Sequence, residues 1–124
     1  MVLDASSLLA FLHDEPGADQ VWSTLPGALV GAVNWSEVVQ KSLQRQADIT
    51  GMRLEFVEAG VLFVPFTPEH AEIAALLWEK TRALGLSLAD RACLALAIER
   101  QVPVLTADRA WSALRLDLDI QFIR

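Results

Sequence analysis

Cysteine is almost missing: Cys93 is the only one in 124 residues, so no internal disulfide can form. Flanked by Leu94-Ala95-Leu96, it reads as a small buried hydrophobe and not a reactive thiol. Long apolar runs are missing as well. The longest uncharged stretch, Gln20 to Ser36, is broken by Pro26, Gly27 and Gly31, and cannot supply about 20 lipid-facing residues. The opening Met1-Val2-Leu3-Asp4 has no basic segment ahead of an apolar run, so nothing marks the chain for export and the expected compartment is the cytoplasm. Positive charge is scarce. Ten Lys and Arg against sixteen Asp and Glu give a net charge of −6, which repels nucleic acid in bulk and confines any phosphate chemistry to a local site. No glycine-rich loop ends in Gly-Lys-Ser or Gly-Lys-Thr, which excludes a P-loop. His13, His70 and Cys93 show no zinc-ligand spacing. Linkers, repeats and low-complexity segments are not found.

What remains is 53% hydrophobic and 21% charged, a composition for one folded domain over residues 1–124 that buries roughly two-thirds of its unfolded surface. The apolar fraction is high enough to hint at surface reserved for a partner or a second copy. Short apolar runs at Val2-Leu3, Ala28 to Val33, Val61 to Phe66, Val102 to Leu105 and Ile120 to Ile123 read as strands. Between them the pattern predicts helices over Ser6 to His13, Asp19 to Leu25, from near Asn34, over Thr50 to Glu58, from Thr67-Pro68-Glu69 to Gly85, over Ser87 to Arg100, and over Asp108 to Leu114. This alternation predicts an α/β fold, a parallel sheet with helices on both sides.

Four acids fall where a strand ends or a helix begins: Asp4 after strand one, Glu37 in the first turn of helix three, Asp90 in the first turn of the apolar helix, and Asp108 after strand four. In a parallel sheet all strand carboxyl ends share one edge, and ligands bind there, near the point where strand order reverses. Four clustered carboxylates repel one another unless cations neutralise them. A hard divalent ion, magnesium or manganese, suits such oxygen ligands. The competing reading is local. Asn34-Trp35-Ser36-Glu37 and Ser87-Leu88-Ala89-Asp90 both match a capping box, and Asp4 and Asp108 can cap the helices that follow them. The two roles are compatible, because a cap holds its acid at the helix mouth.

Val2-Leu3-Asp4-Ala5-Ser6, Glu37, Ser87-Leu88-Ala89-Asp90 and Val104-Leu105-Thr106-Ala107-Asp108 together resemble, in order and separation, the four motifs of PIN-domain ribonucleases, and chains of this length resemble VapC-type toxins of toxin–antitoxin pairs. The resemblance implies a PIN-like fold, a three-layer α/β/α sandwich with a five-stranded parallel sheet, together with magnesium- or manganese-dependent endoribonuclease activity, a homodimer, and inhibition by a cognate VapB-type antitoxin. It makes Asp4 and Asp90 direct metal ligands, with Glu37 and Asp108 completing the acidic site; the expected chemistry has Asp4, Asp90 and Asp108 hold the ion while Glu37 orients the attacking water or a group that supports a metal ligand. Ser6 and Thr106 match the hydroxyl positions beside the first and last acids. The segment between helix three and strand three is short for this family. The reading from another class is a PIN-like protein-binding module without hydrolysis, against which the four intact acids argue.

Other residues carry weaker expectations. Arg91 and Arg109 follow site acids and are candidates for phosphate contact, beside a purely structural role; Lys41 and Arg45 lie one and two turns beyond Glu37. Trp22, Trp35, Trp78 and Trp111 are expected in core or interface packing, with Trp35 of interest for its nearness to Glu37. Neither His13 nor His70 reads as catalytic.

Overall fold

The computed structural model describes residues 1–124 throughout. Five short strands, β1 (Val2–Leu3), β2 (Leu29–Gly31), β3 (Leu62–Val64), β4 (Val104–Thr106) and β5 (Ile120–Phe122), form one parallel sheet in the order β3-β2-β1-β4-β5. Val2 pairs with Leu29 on one side and Val104 on the other, and Leu3 with Leu105. Because side chains alternate along a strand, Leu3, Val30 and Leu105 enter one core while Val2, Leu29 and Val104 enter another on the opposite face. Both faces are therefore buried, as the unbroken apolar strands require.

Helices α1 (Ala5–Leu12), α2 (Ala18–Thr24), α3 (Ala32–Gln44) and α4 (Met52–Glu58) cover the first face through Leu8, Val21, Val38 and Phe56. Helices α5 (Pro68–Leu76), α6 (Trp78–Thr81) and α7 (Leu88–Arg100) cover the second, where Leu77, Cys93, Leu94 and Leu96 meet Trp111. The three-layer architecture expected from the sequence is the one found. Gly17, at φ +96°, lets the α1–α2 turn press on the C-terminal strand: a Cβ there would lie 2.7 Å from Ile123 Cβ.

Several elements differ from expectation. Helix α3 begins at Ala32, not at Asn34, because its cap is Gly31; this moves Asn34 inside the helix and Glu37 from its first turn to its second. The long helix expected up to Gly85 is interrupted, continuing as α6 and a 3₁₀ turn before Gly85 takes a left-handed conformation. The last helix is a 3₁₀ turn over Arg109–Ala113. Trp111 is core at 1% exposure, and Trp35 packs edge-on against Phe56 and Phe63. Trp22 and Trp78 are not core: they are 61% and 52% exposed, stacked on Phe11 and beneath Arg82.

Candidate metal centre at the sheet's carboxyl edge

Strand order reverses between β1 and β4, since chain direction across the sheet runs outward to β3 and then returns to the other side of β1. Asp4 directly follows β1 and Thr106-Ala107-Asp108 lies at the end of β4, so the first and last acids flank the switch point. Asp4 caps α1, its Oδ1 accepting the Ser7 N–H at 2.9 Å. It also accepts the Ser6 hydroxyl at 2.8 Å and the Thr106 hydroxyl at 2.6 Å. Each hydroxyl has one proton to give, and its direction is fixed from behind. The Ala107 N–H donates to Ser6 Oγ at 2.9 Å and the Asp108 N–H to Thr106 Oγ1 at 3.0 Å, leaving both protons to point at Asp4.

Asp4 is the only buried acid of the chain, and no Lys, Arg or His pairs with it. Burial pushes its carboxyl above the usual aspartate range, and the bonds from Thr106, Ser7 and Ser6 offset only part of that rise. A buried charge held by neutral donors alone is costly unless a cation reaches it.

Asp90 is the third residue of α7 and closes a capping box: Ser87 Oγ accepts the Asp90 N–H, while Asp90 Oδ2 accepts the Ser87 N–H at 3.0 Å. Asp108 caps the 3₁₀ turn through Oδ1 and the Ala110 N–H at 3.0 Å. Neither carboxylate has a protein partner on its second oxygen. Glu37, half-buried, stands 3.7 Å from Lys41 and lines a shallow depression with Ser36, Gln40, Ser87 and Ala89, where α3 meets the start of α7. The Cys93 thiol, one turn into α7 and fully buried, is pushed well up, first by burial and then by the charges of Asp4, Asp90 and Glu37. One buried sulfur therefore feels three of the four acids from three different elements.

Side-chain orientation limits this convergence. No three His, Cys, Asp or Glu groups close around a common point at ligand distance. The reason is visible in the caps, which hold Asp90 and Asp108 toward their own helix starts. In kind, the donor set fits a hard divalent ion: oxygens only, one carboxylate desolvated and without a cation, and two with a free oxygen each. Of the cations next to the acids, Arg91 donates to the Ala74 carbonyl of α5 at 2.9 Å, and the exposed Arg109 lies over the Phe122 ring. Two residues carry more structure than the sequence suggested. His70 is buried in a capping box with Thr67 and bonds Glu99 at 2.6 Å, and Asn34 crosses from α3 to the Ala89 carbonyl at 3.0 Å.

No protein of curated function matches the chain in sequence. Solved structures do match in fold. A DNA-bound VapBC from Salmonella typhimurium superposes with a TM-score of 0.75 at 11% identity, over 99% of this chain and 97% of that one. A toxin–antitoxin complex from Klebsiella pneumoniae gives 0.71 at 19% identity, over 90% of each chain. FitAcB from Neisseria gonorrhoeae gives 0.68 at 20%, over 97% of this chain and 95% of that one. The sequence model of the PIN domain matches residues 1–116, nearly the whole chain, and this chain belongs to the PIN-domain family.

Proposed function

We propose that the chain is a divalent-metal-dependent endoribonuclease and the toxin of a VapBC-type toxin–antitoxin pair. The observation that carries the reading is Asp4: a buried carboxylate at the sheet's switch point, fixed by Ser6, Ser7 and Thr106 and without any cationic side chain. PIN domains are in general nucleases, and the fold neighbours include toxin–antitoxin complexes.

In this reading Asp4, Asp90 and Asp108 hold magnesium or manganese, Asp90 and Asp108 through the oxygens their caps leave free. The chemistry such an ion supplies is acidification of a water and neutralisation of charge on the phosphate and leaving oxygen. Glu37 orients the attacking water by accepting its hydrogen bond. Ser6 and Thr106 aim Asp4 and offset part of the cost of its charge, each donating to that carboxylate. The RNA backbone lies along a groove that starts at Ser6 and is lined by His13, Lys41, Arg45 and Arg124, with Glu15 paired to Arg124. That groove gathers three of the ten Lys and Arg beside the acids, a local counterweight to the net charge of −6.

For an antitoxin, α1, α2 and α4 offer exposed Leu12, Trp22, Leu54 and Val57, and for a second copy the other side offers exposed Leu76, Trp78 and Leu88. The test is cleavage of a structured RNA by purified chain freed of any co-purifying partner. Activity is expected with magnesium or manganese, loss with chelator, and loss in Asp4→Asn and Asp90→Asn. Cleavage that persists in chelator, or in both variants, overturns the reading.

A further inference from the structure

Asn34 is 1% exposed, inside α3, and its Nδ2 donates across 55 residues of sequence to the carbonyl of Ala89 at 3.0 Å. Its Oδ1 is buried with no partner, packed so close to Gly31 that a Cβ there would come within 3.3 Å of it. Fold stability does not account for this arrangement. Ala89 is the second residue of α7, where the helix's own ladder supplies its carbonyl with the Cys93 N–H, so the amide is not needed to satisfy it. An orphaned acceptor is unfavourable, and an apolar side chain of equal size fills the same space without one. What the amide does achieve is to tie the two helices together one residue before Asp90 and three before Glu37. Those acids share no bond of their own, so the Asn34 amide is the one side-chain hydrogen bond between the helices that carry them.

We propose that Asn34 is a positioning residue whose bond to Ala89 holds Glu37 and Asp90 together as parts of one cation site. The proposal rests on the metal-site reading above, and its test separates the two. Manganese binding is measured by titration calorimetry on the full chain without RNA, beside thermal melting, for the wild type, Asn34→Leu and Val38→Ala. Val38 is fully buried one turn further along the same helix, in the core with Leu8 and Phe56, and carries no polar group, so its truncation weakens α3 without removing the Asn34 bond. Asn34→Leu is expected to melt at or above the wild-type temperature yet bind manganese about tenfold more weakly, the size of effect seen when the groups supporting a metal ligand are removed. Val38→Ala is expected to melt lower with unchanged manganese affinity. Where the leucine variant fails to fold, Asn34→Ala reads the same bond and carries the same tenfold expectation. Unchanged manganese affinity in the folded Asn34 variant, or equal weakening in Val38→Ala, overturns the positioning role while leaving the metal site standing. A wild type that binds no manganese removes the metal site itself, and Asn34's role with it.

Discussion

The Thr106 hydroxyl donates to Asp4 Oδ2 at 2.6 Å, joining the ends of β1 and β4 across 102 residues, while Thr106 Oγ1 itself accepts the Asp108 N–H. One atom thus ties together the first acid and the backbone of the last. Thr106→Val keeps the shape and removes both bonds, leaving the Asp108 N–H and the buried Asp4 carboxylate each short of a partner. A loss of about 1–3 kcal/mol in urea unfolding is expected, with weaker metal binding. Thr106→Ser keeps the hydroxyl and gives up only a methyl, so its expected loss is about 1 kcal/mol with activity retained. Equal behaviour of the two variants would show that the hydroxyl is irrelevant.

Asp4 is held in an environment that disfavours its charge, so removing the charge should help the fold even as it removes the function. Asp4→Asn, melted at neutral pH in chelator, is expected to gain about 0.5–2 kcal/mol over the wild type, the range typical of relieving a functional compromise. Adding manganese should stabilise the wild type alone and close the gap, because a ligand that binds only the folded state raises its melting temperature. A variant less stable than the wild type in chelator would mean that the α1 cap outweighs the cost of the buried charge.

The layering of the fold and the edge on which the acids lie were readable from strand runs and from the positions of Asp4 and Asp108 after them. Such features depend on local periodicity and on the rule that parallel strands share a carboxyl edge. The capping box at Ser87 and Asp90 was readable for the same reason, since all its partners lie within four residues. Asn34 was not. Its pattern with Glu37 satisfies the capping rule, yet Gly31 ends β2 early enough for α3 to start before it, and only the packing of α7 gives its amide a partner. His70 escaped for a related cause: its main partner, Glu99, is 29 residues away on another helix. Trp22 and Trp78 lie in apolar stretches of short helices whose outer faces the sheet does not reach, so of the core and interface places that periodicity allows them the core is not the one they take.

The pair that locks α5 to α7 gives a pH dependence with a definite sign. His70 Nδ1 accepts the Thr67 N–H at 3.4 Å, so the ring proton sits on Nε2, which donates to Glu99 Oε1 at 2.6 Å. That bond, helped by Arg100, holds the Glu99 carboxyl below its ordinary value. A folded-state value below the unfolded one means that the contribution is fully present above about pH 4.5 and is lost as pH falls through the folded value. Glu99→Gln keeps an acceptor for Nε2 but cannot titrate. Urea stability of the wild type should therefore exceed that of Glu99→Gln near neutral pH by a small margin, small because Glu99 faces solvent. The margin should shrink as the buffer is taken below about pH 4.5 and vanish once the carboxylate is protonated in the folded state as well. A margin that stays constant over that range would assign the effect to shape and not to charge, and the His70–Glu99 contact would then be an ordinary neutral hydrogen bond between two packed helices.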